Sequence, residues 1–233
     1  ADDSEMQVMS MLRGHDLRAV LDDAGAVAGP DRDPLVGPFA HVVVDEAQEL
    51  TDAQWQMLLA RCPSRSLTVV GDRAQARHGF TESWSDRLRR NGFGEVRTAS
   101  LTVNYRTPAE VMAYAEPVIR AALPDANVPV SVRSTGVPVG RGVLADLDAV
   151  LDDWLATHQD GVACVVRAPS AGTASSDPRP RVSLLTPELA KGLEFDLVVV
   201  VDPDAFGDGV EGAVDRYVAM TRATGHLVVL SDA

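Results

Sequence analysis

Short uninterrupted runs of valine and leucine recur along the chain, and segments with helical spacing separate them. The clearest runs are HVVV (41–44), SLTVV (66–70), VACVV (162–166), LVVVV (197–201) and HLVVL (226–230). Strands with continuous apolar runs, rather than alternating ones, are typical of parallel sheets that carry helices on both faces. The sequence therefore predicts an α/β fold built on mostly parallel sheets.

The runs fall into two groups, which predict two α/β units joined near residues 100–107. We expect a first unit over 37–101 and a second unit over 102–233, with a flexible, Pro-rich polar loop at 168–181. The segment 1–36 is predicted to be helical. The first unit is expected to be incomplete, because too few strands precede Asp45 for a full doubly wound sheet.

Composition and charge narrow the class of protein. The chain of 233 residues is 45% hydrophobic and 24% charged, which is ordinary for a soluble protein. It contains no apolar run near the roughly 20 residues of a membrane span. The two cysteines, Cys62 and Cys164, are predicted to be buried and free, as in a reducing cytoplasm. A formal net charge of -13 excludes nonspecific polyanion binding by the chain as a whole, so nucleic-acid contacts would need a local basic patch or further parts of the protein.

Two adjacent carboxylates, Asp45 and Glu46, follow the first valine run. Ligands of open α/β sheets bind at the carboxyl ends of strands, where an Asp can hold Mg²⁺ and the next acid can orient or deprotonate a water. The pair is equally compatible with an acidic first turn, which a helix dipole favours. Gln48 is an unusual residue at a strand edge unless it holds another group.

The second apolar run ends in Gly71 and Asp72, and Gln75 follows three residues later. A glutamine amide can hydrogen-bond a terminal phosphate or a positioned water. Gly-Asp alone is also common in ordinary turns.

Tyr105 and Arg106 come just before a predicted helix. Tyrosine can stack on a base and arginine can pair with phosphate oxygens in a fork, although a packed Tyr and a solvated Arg would fit the same positions. We expect Thr107 to be the N-cap of this helix and Glu110 to complete a capping box.

Two more motifs follow in the last quarter of the sequence. Lys191 and Gly192 precede Glu194 and a buried strand, and Arg222 ends a helix with an apolar face. An arginine at a helix C-terminus also suits the helix dipole, so Arg222 alone does not indicate a function.

Taken in order, the motifs are D-E-A-Q-E, G-D-x-x-Q, N-Y-R-T, K-G-L-E-F-D and Y-V-A-M-T-R-A. In this order they resemble the C-terminal half of superfamily 1 helicases of the UvrD/Rep type, over roughly residues 38–231. UvrD and Rep usually carry a large extra subdomain between the third and fourth motifs, where this chain has only 107–190. That short gap and the wording of the first three motifs resemble the HelD group, the relatives associated with RNA polymerase.

The resemblance implies two RecA-like units and a motor that uses ATP and Mg²⁺, with 1–36 as a helical remnant of the first motor domain or of its insertion. By position in the motifs, Asp45 would coordinate Mg²⁺ and Glu46 would be the catalytic base. Gln75 would contact the γ-phosphate and couple hydrolysis to movement.

The later motifs imply roles on the other side of the nucleotide. Tyr105 would stack on the base and Arg106 would contact the γ-phosphate. Gly192 and Glu194 would lie at the nucleotide, with Glu194 near the ribose or phosphates, and Arg222 would be an arginine finger.

The resemblance also implies partners and a location. RNA polymerase is the expected partner in the cytoplasm, with DNA or RNA contacted through the full-length protein and no membrane association. The alternative is a DNA-unwinding repair helicase of the UvrD/Rep type. The sequence departs from the family by lacking G-x-x-x-x-G-K-[ST] and the glutamine motif that reads adenine. We expect these parts upstream in the natural protein, and the 233-residue chain alone to be inactive.

Overall fold

The computed structural model describes residues 37–78, 82–169 and 179–232, so the helix predicted within 1–36 lies outside the described residues. The strands are β1 (Val42–Val44), β2 (Leu67–Val69), β3 (Val103–Asn104), β4 (Val130–Ser131), β5 (Gly140–Val143), β6 (Ala163–Val166), β7 (Val182–Leu185), β8 (Phe195–Val201) and β9 (Ala223–Ser231). The α-helices are α1 (Asp52–Arg61), α2 (Trp84–Arg90), α3 (Ala109–Ala122), α4 (Leu147–Thr157), α5 (Pro187–Ala190) and α6 (Gly209–Thr221).

The largest sheet has five strands in the order β5-β9-β8-β6-β7, and every neighbouring pair is parallel. Its central strands alternate between two cores. Val198 and Val200 of β8 pack with α3 and α6, while Leu197 and Val199 pack with α4 on the other face. Burial on both faces explains the continuous valine run, and it confirms the predicted α/β fold with parallel sheets.

A smaller parallel sheet joins β1 to β2, and α1 packs against it through the fully buried Trp55. Thr51 caps α1, and its side chain forms a capping box with Gln54. The expectation of helices on both faces is wrong for this sheet, because Val43 of β1 is 67% exposed and Thr68 of β2 is exposed as well. Helices cover only one face of this sheet among the described residues, so alternate side chains meet solvent.

The start of α3 also differs from the prediction. Pro108 occupies the N-cap position and the helix begins at Ala109. The Thr107 hydroxyl donates instead to the main-chain oxygen of Thr221 at 3.4 Å. The Glu110 carboxylate accepts from the amide of Gly136 at 2.8 Å, so the predicted capping box does not form. Both side chains hydrogen-bond to segments that are distant in the sequence. A capping rule considers only neighbouring residues, so it cannot predict these contacts.

The cysteines agree with the prediction, whereas the ends of the predicted loop at 168–181 are more ordered than expected. Cys62 and Cys164 are buried and free, as predicted. Within the predicted flexible loop, Ala168 is buried in the core, and Arg179 is anchored by two acids of α4. Residues 170–178 lie outside the described part of the chain. None of the described helices has the length and apolar composition needed to cross a bilayer. The boundary between units at 101/102 stays a prediction.

Candidate functional site

The acid pair lies at the carboxyl end of β1, where both side chains are exposed. Glu46 adopts the left-handed conformation, with φ 51°, and its amide donates to Oδ1 of Asp45 at 2.8 Å. Non-glycine residues pay a conformational cost in this region and concentrate at functional sites. The turn therefore holds the two carboxylates side by side at the edge of the sheet.

Gln48 braces this turn against the end of β2. Its Nε2 donates to Oε2 of Glu46, and its Oε1 accepts from the amide of Asp72 at 3.0 Å. Gln48 is only 6% exposed, so both ends of its amide are satisfied in a buried setting. A Cβ at position 71 would lie 2.8 Å from Oε1 of Gln48, which explains the glycine there. The sequence had marked Gln48 as unusual without assigning it to the site.

Gln75 ends a short 3-10 turn, Arg73–Gln75, that follows β2. Its Nε2 donates to Oδ2 of Asp72 at 2.9 Å, and the amide of Ala74 donates to the other carboxylate oxygen at 2.9 Å. Burial raises the pKa of the Asp72 carboxyl above its ordinary value, while these two hydrogen bonds oppose the rise. Asp72 thus fixes the direction of the Gln75 side chain.

Arg222 lies at the end of α6 and is buried. Its Nε donates to the main-chain oxygen of Val218 at 3.1 Å, and its Nη2 donates to Oε1 of Gln75 at 3.4 Å. Burial, and then the positive charge of Arg106, lower the pKa of the Arg222 guanidinium. The contact with Gln75 therefore joins the Y-V-A-M-T-R-A motif, which contains Arg222, to the G-D-x-x-Q motif.

Arg106 and Glu194 form an ion pair, with Nε 2.7 Å from Oε1. The pair joins the segment after β3 to the segment before β8, and both side chains are about half exposed. Tyr105 points outward and is 75% exposed. Gly192 has φ +76°, a conformation that glycine adopts without strain, and it turns the chain towards β8.

A cavity of about 880 Å³ connects several of these groups. Four predicted site residues, Asp45, Glu46, Gln75 and Arg106, are among those that line it. Arg222 reaches this group through Gln75, and Glu194 reaches it through Arg106. The walls combine acids, an amide and arginine, which are the groups that handle a phosphate, its counter-cation and a water.

The donor set fits Mg²⁺ bound together with a phosphate. Mg²⁺ usually takes one or two protein carboxylates and completes its shell with water and phosphate oxygens. Asp45 supplies one such carboxylate at the cavity wall, and Glu46 stands beside it as the acid that can act on a water. Within the described residues, no group of three or more His, Cys, Asp or Glu side chains could hold a metal ion by itself.

Sequence reasoning missed two charged residues at the site, Lys191 and Glu49. Nζ of Lys191 lies 2.5 Å from Oε1 of Glu49 and donates to the main-chain oxygen of Gln75 at 3.0 Å. The two charges are 142 positions apart in the sequence. The signal available was the presence of both residues inside recognised motifs, although nothing local indicates that they meet.

A family model described as "Viral superfamily 1 RNA helicase core domain" matches residues 31–231. The sequence has no match among curated proteins.

Several solved structures are similar at low identity. The C-terminal domain of a possible DNA helicase from Lactobacillus plantarum WCFS1 has 18% identity and a TM-score of 0.41, over 55% of this chain and 88% of that chain. The arterivirus nonstructural protein 10 helicase in complex with DNA has 20% identity and a TM-score of 0.47, over 82% of this chain and 39% of that chain. The PRRSV nsp10 helicase has 15% identity and a TM-score of 0.31, over 81% of this chain and 35% of that chain. The chain thus spans well under half of the two viral proteins.

Proposed function

Because the chain belongs to the family of viral superfamily 1 RNA helicase core domains, we propose that it forms part of the nucleotide cleft of an ATP-dependent helicase-like motor. The superfamily agrees with the five motifs. The narrower UvrD/Rep and HelD assignment stays a prediction.

One arrangement carries the proposal. Asp45, Glu46, Gln75 and Arg106 come from three separate motifs and line one cavity. Arg222, from a fourth motif, contacts Gln75 from the end of α6. Acids and arginines around one cavity suit a phosphoryl group that is attacked by water, because charge must be neutralised as the transition state forms.

Each residue has a distinct part in this proposal. When bound, ATP and Mg²⁺ supply the phosphoanhydride and the charge that neutralises it, with Asp45 holding the metal. Glu46 accepts a proton from water, and Gln75 contacts the γ-phosphate and couples hydrolysis to movement. Arg106 and Arg222 stabilise negative charge from the second unit, while Glu194 keeps Arg106 in place. Tyr105 is exposed and available to stack on a base.

The phosphate-binding loop has to come from outside these residues, since the printed sequence lacks G-x-x-x-x-G-K-[ST]. Among the described strands β2 pairs with β1 alone, so no described strand hydrogen-bonds to its second edge. Backbone amides and a lysine normally neutralise the β- and γ-phosphates. We therefore infer that the 233-residue chain by itself neither binds ATP tightly nor hydrolyses it.

Phosphate release tests both parts of this proposal. The purified chain should show no magnesium-dependent turnover, and turnover that Glu46→Gln abolishes would refute the inference of inactivity. In a longer protein that carries these residues with a phosphate loop, Glu46→Gln should lower hydrolysis by orders of magnitude. Glu95→Gln is the control, since Glu95 is an exposed acid paired with Arg97. Equal turnover in both variants would exclude Glu46 as the base.

For the partner, we propose an RNA-polymerase-associated factor of the HelD type that uses ATP to remodel or recycle the polymerase in the cytoplasm. The charge of -13 supports a protein partner over a bare strand, because a translocated strand needs a positive groove. The test sets co-purification with RNA polymerase beside strand displacement by the longer protein. Efficient unwinding without polymerase binding would favour the UvrD/Rep repair alternative.

A further inference from the structure

Lys191 is the only lysine in the sequence. Its side chain contacts the segments that follow β1 and β2 at the carboxyl end of the smaller sheet. Its main chain lies between α5 and β8, next to the five-stranded sheet. Its ammonium meets three oxygens of the first unit, namely Oε1 of Glu49 at 2.5 Å, the main-chain oxygen of Gln75 at 3.0 Å, and Oε2 of Glu46 at 3.6 Å. One cation therefore contacts the turns that follow β1 and β2.

The chemistry of this contact suits a long cationic side chain such as lysine. An ammonium has three donors around a compact charge, and it can satisfy three oxygens that converge on one point. The Lys191 side chain is only 20% exposed, so solvent screens the interaction less than it would at the surface. Glu49 is also tied to the segment after β2, since its Oε1 accepts from the Arg77 amide at 3.5 Å.

The backbone around Lys191 explains how the side chain is aimed. Gly192 follows with φ +76°, and an added Cβ there would meet no atom within 4 Å. Conformation, rather than space, therefore requires glycine at this position. The turn at Gly192 lets the chain leave α5 and enter β8 while the lysine side chain extends to the acids.

We propose that Lys191 is a positioning residue, which sets the distance between the turn of Glu46, the segment of Gln75 and the start of β8. This role rests on the proposed function, because the groups it positions are those of the nucleotide site. The ammonium lies within 4 Å of the carboxylates of both Glu46 and Glu49, so it also offsets the repulsion between these two negative charges. Losing the charge should loosen both turns at once.

A separate set of ion pairs, which does not involve Lys191, joins the segment after β2 to α5 and α6. Arg77 pairs with Glu188 on α5 at 2.5 Å, and lies 3.7 Å from Asp215 on α6. Variants at Lys191 should therefore remain folded, and their effects should be confined to the turns that it contacts.

Carbodiimide coupling provides the first test, because it joins a lysine amine to a carboxylate only at direct contact. With a single lysine, each side-chain cross-link in the chain maps to Lys191. We expect a Lys191–Glu49 link in the purified chain, and its loss in Glu49→Gln while a link to Glu46 remains. Links that go instead to remote acids such as Glu95, or no lysine link at all, would overturn the proposal.

Hydrogen exchange provides the second test. Lys191→Met keeps the length of the side chain without its charge, and it should speed exchange in residues 47–50 and 72–77. Lys191→Arg should restore slow exchange, because the charge returns. Arg97→Met is the control, since Arg97 is an exposed cation that pairs with Glu95. Unchanged exchange in Lys191→Met, or no rescue by arginine, would contradict the role.

Neither readout involves nucleotide. An intact Lys191–Glu49 link in a protein whose longer form never hydrolyses ATP would count against the proposed function alone. Hydrolysis that depends on Glu46, together with a missing link, would count against the lysine alone.

Discussion

Nη2 of Arg222 lies 3.4 Å from Oε1 of Gln75, so the end of α6 contacts the segment that follows β2. The contact is long for a hydrogen bond, and the guanidinium is held more firmly by the main-chain oxygen of Val218 at 3.1 Å. Arg222 is thus buried beside the cavity while one of its nitrogens remains weakly engaged.

This relationship predicts a coupled pair of variants. In a longer protein that also carries a phosphate loop, Arg222→Ala should lower ATP turnover by about 10³- to 10⁵-fold, as for an arginine finger. Gln75→Ala should lower turnover too, and the double variant should lose less than the sum of the two effects. Steady-state hydrolysis in a double-mutant cycle measures this. Arg89→Ala, which removes an exposed arginine paired with Asp86, is the control. Normal turnover in Arg222→Ala would remove the finger assignment.

The strands of the large sheet could be predicted because each one has an apolar run that is recognisable from its own sequence. A strand such as β8 is buried on both faces, so every residue from Leu197 to Val200 must be apolar, and the run is visible without any partner. The half-exposed β1 shows the limit of this rule. Val43 faces solvent because no described helix covers that face of the sheet. The sequence of the strand itself does not indicate which of its faces will be covered.

The contacts of the site were less predictable, because they join segments that are distant in sequence. Lys191 and Glu49, like Arg77 and Asp215, are far apart in the sequence and are brought together by the folded chain. A charged side chain has many potential partners of opposite sign, and the fold selects one. The motifs therefore indicated which residues matter, while the pairing between them had to come from the structure.

The buried thiols give a prediction for reactivity. Burial raises the pKa of Cys164 in β6 to about 12, and Cys62 is completely buried. The thiolate is the reactive form, so neither cysteine should react with a disulfide reagent at pH 8 in the native chain. Both should react after unfolding in guanidinium, which serves as the control. A native thiol that reacts as fast as a free one would show that the structure around it opens readily.

Gly212, in the first turn of α6, gives a steric prediction. An added Cβ would lie 2.0 Å from the main-chain oxygen of Gly207, which also accepts from Arg216. Gly212→Ala should therefore lower the free energy of unfolding by about 1–3 kcal/mol, because the backbone has to shift. Gly94→Ala is the matched control, since a Cβ there meets nothing within 4 Å. Urea unfolding measures the free energy of unfolding of both variants. Equal values would mean that the loop before α6 can move away from the added Cβ without loss of stability.

Glu110 predicts a pH dependence of stability. The Ser134 hydroxyl, followed by backbone amides that include Gly136 and Thr135, holds the pKa of the Glu110 carboxyl at about 2, below its ordinary 4.5. A carboxyl whose pKa is lower in the folded state stabilises the fold fully above its unfolded pKa. That contribution is lost as pH falls from 4.5 through about 2.

Glu110→Gln should therefore be less stable than the wild type at pH 7, and the difference should shrink between pH 4.5 and 2. Ser134→Ala removes the largest cause of the lowered pKa, and it should move the loss of stability to higher pH. Urea unfolding across this pH range measures both variants. Glu95→Gln should follow the wild-type curve, because Glu95 is exposed and paired only with a nearby surface arginine in the described structure. A constant difference between Glu110→Gln and the wild type from pH 7 to 2 would mean that the charge of Glu110 does not hold the loop of residues 134–136.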